Sequence, residues 1–370
     1  MPWAGIVALI VVVLLDAALL GSRGPWERIF RALPYDGSLY TGVARDRTQL
    51  QKIRAADPEQ PRILIFGTSR ANRGFNVVRA ERGLPGASLG QMAHQMMDPF
   101  AILSLVDESV AAGADAVVLL LSQFDTHRPL RIEPIPGKSS ASLAAIGDLT
   151  DAAGAAFAWQ IRDSLYRIAA SSALGSYRFR DVLGRTGLNR TREFALDDRL
   201  DSRGFALMRG PAALGEPREK ALGAEEREEL LERLSPRLRS RAPRQFGWFT
   251  ETRRGEHARV QMALVRRIVE RLRDADVEVF IVECPLHPLA ADIEERGTRA
   301  EFAALASDLA SETGAHFLRL EAMPPFEAND FNDLLHLGPS GSEKLTAAVI
   351  STLHEHLPNL APPQRPPPGP

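Results

Sequence analysis

The chain has 370 residues, which is long enough for one large domain or for one domain that carries a substantial insertion. Its hydrophobic content of 45% and charged content of 25% are those of ordinary globular proteins, which argues against a disordered chain. With 45 basic and 47 acidic residues and one cysteine, Cys284, it offers no electrostatic case for nucleic-acid binding and no intramolecular disulfide or cysteine-rich metal site.

The N-terminus carries an almost uninterrupted apolar run over residues 4–20, in which Asp16 is the only charged residue and lies near the end. A helix that crosses a bilayer needs about 17–25 apolar residues, so the run predicts a transmembrane anchor over residues 1–22. A cleaved signal peptide is the main alternative, but no Lys or Arg precedes the run. A buried soluble helix fits poorly, because the run is apolar on every face. Residues 23–60 are interpreted as a polar juxtamembrane segment.

Strand and helix patterns alternate in the first part of the predicted domain, residues 61–125. Strands are predicted at 62–66, 86–89 and 116–121, and a helix at 93–112. The run AVVLLL at 116–121 is continuously apolar, which is typical of a parallel strand covered on both faces.

The alternation stops between residues 126 and 255, which we interpret as a mainly helical insertion. Helical fragments at 155–171 and 224–235 are broken there by glycine, proline and charged residues. The arginine-rich segment 236–244 could meet an anionic polymer or lipid, but a solvated face explains it more simply.

The alternation resumes in residues 256–358, the second part of the domain. The predicted elements are helices beginning at 257 and covering 298–312 and 341–357, and strands at 277–282 and 316–320. Ser340 and Glu343 predict a capping box at the start of the last helix. Residues 359–370 form a proline-rich tail that is predicted to be disordered.

This pattern predicts an α/β fold. We expect a flavodoxin-like three-layer α/β/α sandwich with about five parallel strands, a helical insertion and one N-terminal transmembrane helix. Ligands in such sheets bind at the carboxyl ends of the strands.

Two short motifs fall at those carboxyl ends. The first is Gly67-Thr68-Ser69-Arg70, directly after the first strand, where a serine hydroxyl would be exposed beside the N–H groups that begin a helix. An ordinary helix-capping serine is the alternative. The second is Asp333-Leu334-Leu335-His336, just before the last helix. Histidine is the usual general base for a serine nucleophile, and a carboxylate fixes its tautomer.

Together the two motifs resemble those of the SGNH (GDSL-like) hydrolase superfamily, over residues 61–125 and 256–358. In that family a serine follows strand one and a D-x-x-H block precedes the final helix. The resemblance implies that Ser69 is the nucleophile, that His336 is the base with Asp333 as its partner, and that the N–H groups of Ser69 and Gly90 contribute to the oxyanion hole. No metal or other cofactor is expected.

One feature departs from the family's pattern. Its third block supplies an asparagine oxyanion donor, whereas strand three here is followed by Ser122-Gln123-Phe124-Asp125. Ser122 or Gln123 could take the place of that asparagine. Loss of one such donor costs a factor of about 10²–10³ in rate, so this substitution bears directly on activity.

The layout is similar to a membrane-anchored branch of the family, which includes the D-alanyl-lipoteichoic acid transfer protein and the alginate O-acetyltransferase accessory enzymes. Pro285-Leu286-His287-Pro288 also looks like that branch. Its members act on cell-envelope polymers outside the cytoplasmic membrane, which implies a single-pass bacterial inner-membrane protein with a periplasmic domain. Basic residues that follow the apolar run argue for the opposite orientation by the positive-inside rule: Arg23, Arg28 and Arg31.

Three further residues follow strand ends and are weaker candidates. His127 and His287 could line the cleft, and Cys284 is more simply a small buried residue than a nucleophile. No metal-ligand cluster, P-loop or G-x-G-x-x-G motif is found in the sequence.

Two functions remain open at this point. The first is a membrane-anchored serine esterase or O-acyltransferase acting on an envelope glycan or a similar acyl ester, with a membrane-embedded acyltransferase as a possible partner. The second is a catalytically degenerate SGNH-fold subunit that serves as a membrane-associated binding or assembly protein.

Overall fold

The computed structural model describes residues 40–93, 97–127, 143–160, 256–290 and 298–357, and a few single positions outside these ranges. The chain divides into two compact units, one of residues 1–47 and 131–214 and the other of residues 48–130 and 215–370. All of the candidate site residues belong to the second unit.

Within the described residues, five strands form one parallel sheet in the second unit. They are β1 (Arg62–Gly67), β2 (Ser88–Ala93), β3 (Ala116–Leu121), β4 (Glu278–Glu283) and β5 (His316–Leu318). Their order is β2-β1-β3-β4-β5, and all neighbouring strands are parallel. This is the strand order of flavodoxin-like sheets, in which ligands bind at the switch point between β1 and β3. The predicted α/β fold with about five parallel strands is confirmed.

Nine helices are found in the same described residues. They are α1 (Tyr40–Arg54), α2 (Ser69–Gly74), α3 (Val77–Gly83), α4 (Pro99–Ala111), α5 (Gln123–Thr126), α6 (Leu143–Gln160), α7 (Glu256–Arg273), α8 (Thr298–Thr313) and α9 (Pro339–His356). Helix α6 lies in the predicted insertion, and it begins earlier than the fragment predicted at 155–171. The predicted fragment at 224–235 lies outside the described residues, except for a few single positions.

Helices cover both faces of the sheet. Side chains alternate between the two faces along a strand. Ile63 and Val118 lie on the face that packs on α2 and α9, in one buried cluster with Ala71 and Val349. Leu64 points to the other face, together with the other strand residues that alternate with the first set. Helices α4 and α7 pack against each other on that face, and these side chains are also fully buried. The apolar runs of the strands are therefore explained by burial on both sides.

The region between β1 and β3 differs from the sequence-based prediction. The predicted strand at 86–89 is longer and lies at 88–93, so that Ala93 belongs to the sheet and not to a helix. Helix α4 begins only at Pro99, where the Asp98 side chain caps it by accepting the N–H of Ala101 at 2.9 Å. Leu89 and Met92 are the only large apolar residues of β2, so the strand has no continuous apolar run, and this explains the shifted boundary.

The start of α9 also differs from the prediction. The helix begins at Pro339 with Gly338 as its N-cap, and the cap has no side-chain hydrogen bond. Ser340 therefore lies inside the first turn, and Glu343 pairs with Arg79 at 3.3 Å. The predicted capping box is wrong, because proline at the first position already favours the helix start.

The N-terminal predictions are only partly covered by the structure. Residues 4–20 lie outside the described residues except for Val7, Val11 and Leu14, which are helical and exposed. The end of the predicted juxtamembrane segment 23–60 instead forms α1, whose Ile53 is fully buried. In the described part of the chain, no helix is both long and apolar enough to cross a membrane. The tail 359–370 lies outside the described residues apart from Leu360.

Candidate active site

The turn between β1 and α2 presents Ser69 at the carboxyl edge of the sheet. Thr68 caps α2, its hydroxyl accepting the N–H of Arg70 at 3.4 Å. Gly67 has a φ of 156°, and a Cβ on it would lie 2.5 Å from the Ala71 Cβ and 2.7 Å from the Leu120 carbonyl oxygen. Only glycine allows the chain to turn so tightly here, and the turn leaves Ser69 half-buried at the switch point.

A tight loop between β5 and α9 carries the other two predicted residues. Its two sides are joined by a bridge between Phe331 and Leu337, by the N–H of Asn332 on the carbonyl of His336 at 2.8 Å, and by the N–H of Gly338 on the carbonyl of Asp330 at 2.6 Å. These backbone contacts join the two sides of the loop.

The structure brings the three predicted residues together across a sequence separation of 267 positions. The Ser69 Oγ lies 2.9 Å from His336 Nε2, and His336 Nδ1 lies 2.9 Å from both carboxylate oxygens of Asp333. A carboxylate can only accept, so Nδ1 carries the proton and Nε2 presents its lone pair to the Ser69 hydroxyl. This arrangement of nucleophile, base and orienting acid is that of a serine hydrolase triad.

The Asp333 carboxyl group is buried but stays ionised. Burial acts to raise its pKa, but the hydrogen bond and the charge of His336, together with the N–H groups of Leu335 at 2.9 Å and His336 at 2.8 Å, hold the pKa well below its ordinary value. The side chain is thus a fixed negative charge behind the imidazole, and it can stabilise an imidazolium formed during proton transfer.

Gly90 does not lie where the family resemblance implied. It lies inside β2, with Leu64 of β1 as its register partner, and Gly67 is paired with Ala93. Three residues of strand separate it from the carboxyl edge, which corresponds to about 10 Å. Its lack of a side chain has a packing reason, because a Cβ there would lie 2.8 Å from Leu64 Cδ2. The structure does not bring its N–H to Ser69.

The hydroxyl group of Ser122 makes its hydrogen bonds within its own loop. Its hydroxyl accepts the N–H of Phe124 at 3.0 Å and contacts the Asp125 carboxylate at 3.3 Å, and the side chain is fully buried. This corrects the prediction that Ser122 donates to an oxyanion. Gln123 is also buried, but it lines a pocket at the carboxyl edge of the sheet, so it stays a candidate for substrate contact.

A buried ion pair that the sequence analysis missed joins the two sides of the switch point. Arg70, the residue after Ser69, pairs with Asp125 on α5, and its guanidinium lies 5.3 Å from the centre of the Phe124 ring. Both side chains are almost fully buried, and Arg70 Nη1 has no partner among the described residues. The pair ties the start of α2 to the end of β3 and so fixes Ser69. The only sequence signal was the position of Arg70 beside the nucleophile.

The three weaker candidates lie beside the triad and not in it. His127 is buried and contacts Thr126 Oγ1 at 2.9 Å and Glu301 at 3.4 Å. Burial raises the pKa of Cys284 to about 12, so its thiol stays protonated and is not a nucleophile.

His287 is the candidate closest to the triad loop. Its backbone N–H donates to the Leu334 carbonyl at 3.3 Å. Its ring packs edge-on against Phe331, and its Nδ1 accepts the backbone N–H of Leu289 at 3.1 Å. Burial lowers its pKa, against a smaller opposing effect of the Asp333 charge. It therefore supports the loop as a neutral side chain.

No group of three or more His, Cys, Asp or Glu side chains in the described part of the chain is arranged to hold a metal ion. No protein-family model matches the chain, and no curated protein matches its sequence. The functional argument therefore rests on the geometry of the site.

Proposed function

We propose that the chain is a serine-dependent ester hydrolase or O-acyltransferase of the SGNH type. The observation that carries the proposal is the hydrogen-bonded series Ser69–His336–Asp333, with 2.9 Å at each contact, at the switch point of a parallel sheet. The three side chains meet where such sheets bind ligands, in the order that nucleophilic catalysis by a serine requires.

The chemistry follows from the geometry. His336 Nε2 takes the proton of Ser69 as the hydroxyl oxygen attacks the acyl carbonyl, and Asp333 stabilises the imidazolium. Collapse of the tetrahedral intermediate expels the alcohol, which takes a proton from His336 Nε2. Water or a sugar hydroxyl then attacks the acyl-enzyme and gives its proton to the same nitrogen. Collapse of the second tetrahedral intermediate breaks the bond to Ser69, whose oxygen takes that proton back as the acid or the new ester is released.

The cellular setting is part of the proposal and is supported by the sequence. The apolar run at residues 4–20 supports a single-pass anchor in a bacterial inner membrane. The likeness of the motifs to the membrane-anchored SGNH branch supports a periplasmic domain that acts on an envelope glycan or a similar acyl ester, with a membrane-embedded acyltransferase as a partner.

A fluorophosphonate probe tests the proposal, because it reacts only with an activated serine. We expect the purified protein to be labelled, and labelling to be lost in Ser69→Ala and His336→Ala. Ser351→Ala, which changes an exposed serine on α9, is the matched control and should label normally. Absence of labelling in the folded wild type would contradict the enzyme proposal.

A second candidate is a degenerate SGNH-fold subunit that binds or assembles other components. It is favoured by one observation: Ser122 is fully used within its loop and Gly90 lies inside the sheet, so neither supplies the expected oxyanion donor. A folded protein that the probe does not label, and that hydrolyses no ester, would support this candidate instead.

A further inference from the structure

A pocket of about 360 Å³ lies at the carboxyl ends of β3, β4 and β5. Its volume is near the lower end of the range of roughly 300–1,000 Å³ that is usual for small-molecule sites. Ser69 and His336 are not among the described residues that line it. The pocket is thus a space beside the triad, on the edge of the sheet where α/β proteins bind ligands.

The floor of the pocket includes a residue from α5 and a residue that contacts the triad loop. Gln123 belongs to α5, and Asp125 of the same helix holds Arg70, the residue after the nucleophile. The backbone N–H of His287 donates to the carbonyl of Leu334 in the triad loop. A ligand chain that enters this pocket therefore lies against the elements that position the catalytic residues.

The walls of the pocket are apolar and partly open to solvent. They are formed by two short segments, one after β4 and one after β5: Leu286, Pro288, Leu320, Pro324, Pro325 and Phe326. Four of these six are proline or aromatic residues, which lose little conformational freedom when a ligand binds. Such walls favour a hydrocarbon group, because burying apolar surface stabilises binding by about 25 cal/mol per Å².

The floor carries no net charge. Burial raises the pKa of Cys284 to about 12 and lowers the pKa of His287, so that both side chains are neutral near pH 7. The third floor residue, Gln123, is an amide. A charged ligand group would lose its hydration here, and none of these three floor side chains offers it an opposite charge.

The charged side chains at the rim are paired with each other. Arg299 donates to Glu283 at 2.7 Å and to Glu321 at 2.6 Å, while Glu283 also accepts the N–H of Leu320 at 2.9 Å. Two carboxylates surround one guanidinium, so the described residues that line the rim offer no unpaired cation to an anionic ligand.

We propose that this pocket binds an uncharged, mainly apolar chain of the ester substrate, attached on either the acyl or the alcohol side of the reacting carbonyl. The inference rests on the proposed function and deepens it by naming the substrate class: esters with a short hydrocarbon chain and no charge on that chain. The floor, the walls and the rim each favour this class independently.

Binding is tested without catalysis, by ligand-observed NMR with hexanamide and the Ser69→Ala protein. Leu286→Trp fills the pocket from its wall and should weaken hexanamide binding by about tenfold or more. Phe326→Ala removes wall surface and should weaken it a few-fold. Val78→Trp, on an exposed position of α3 outside the pocket, is the matched control and should leave binding unchanged. Hexanoate should bind about tenfold or more weakly than hexanamide.

Kinetics then identify the side of the ester that enters the pocket. The wild type and Leu286→Trp are compared on p-nitrophenyl acetate, butyrate and hexanoate, and on ethyl, butyl and hexyl acetate. If kcat/KM rises with chain length in the first series and Leu286→Trp abolishes the rise, the pocket binds the acyl chain. The same result in the second series assigns the pocket to the alcohol chain.

The possible failures are distinguishable. Hexanamide binding that Leu286→Trp removes, without hydrolysis of any ester, supports the pocket and contradicts the proposed function. Hydrolysis that depends on Ser69 but not on Leu286 or chain length, with no hexanamide binding, overturns the pocket inference and leaves the proposed function standing. Equal binding of hexanoate and hexanamide also overturns it.

Discussion

Asp333 is the residue on which the other two members of the triad depend. Its Oδ1 accepts the N–H groups of Leu335 and His336, and the same carboxylate accepts Nδ1–H of His336. One side chain thus fixes both the loop and the tautomer of the imidazole. The i, i+3 spacing that makes these contacts is local, which is why the sequence alone could predict the Asp333–His336 pair.

Asp333→Asn separates charge from shape at this position. The amide keeps the volume of the carboxyl group, but its NH₂ can donate to His336 Nδ1 and so favours the tautomer with the proton on Nε2. Nε2 then has no lone pair for the Ser69 hydroxyl, and kcat for p-nitrophenyl acetate should fall by about 10⁴-fold. Asp308→Asn, on an exposed position of α8, should leave kcat unchanged. A loss smaller than about tenfold in Asp333→Asn would contradict the assigned role.

Other site residues could not be predicted correctly, because their positions depend on strand register. Gly90 was assigned from the family resemblance, and one register pair, Gly90 with Leu64, puts it three residues from the edge of the sheet. Ser122 was a reasonable donor in the sequence, but the capping of α5 uses its hydroxyl. The ion pair of Arg70 and Asp125 joins two loops that are distant in sequence, so no local pattern could indicate it.

At the scale of elements, the turn from β1 into α2 exposes Ser69, the proposed nucleophile. Gly67 approaches the backbone of β3 and the first turn of α2 so closely that no other residue fits without a shift. The pairing of Arg70 with Asp125 holds the same turn from the side of α5. The position of Ser69 therefore depends on two adjacent elements as well as on its own helix.

Gly67→Ala tests that dependence. The added Cβ would lie 2.5 Å from the Ala71 Cβ and 2.7 Å from the Leu120 carbonyl oxygen, so the free energy of unfolding should fall by about 1–3 kcal/mol. Because α2 must move to relieve the contact, fluorophosphonate labelling of Ser69 should slow as well. Gly147→Ala is the matched control: its Cβ enters open space within α6, and it should raise stability by up to about 1 kcal/mol. Urea unfolding and labelling rates measure both effects, and an unchanged Gly67→Ala protein would contradict the argument.

At the scale of the whole molecule, the sheet could be predicted because its strands are buried on both faces and are therefore continuously apolar. The runs at β1, β3 and β4 were found within one residue of their observed bounds. Strand β2 was misplaced because only two of its residues, SLGQMA, are large and apolar, and burial there comes from α1 and β1 packing on it. A strand that tertiary contacts bury without an apolar pattern gives no signal in the sequence.

The proposed membrane orientation is a prediction that belongs to the whole molecule. The arginines that follow the apolar run, Arg23, Arg28 and Arg31, favour a cytoplasmic domain by the positive-inside rule, whereas an envelope substrate requires a periplasmic one. Fusions after residue 39, ahead of α1, test this with alkaline phosphatase, which is active only in the periplasm, and with green fluorescent protein, which fluoresces only in the cytoplasm.

We expect active phosphatase and no fluorescence. Replacing the three arginines by glutamine removes the opposing charge and should raise phosphatase activity further, which makes it the control for the charge argument. Fluorescence with inactive phosphatase would contradict the periplasmic assignment and exclude an envelope glycan as the substrate. It would leave the triad intact, because Ser69, Asp333 and His336 are held by contacts within the second unit, which do not involve the proposed anchor.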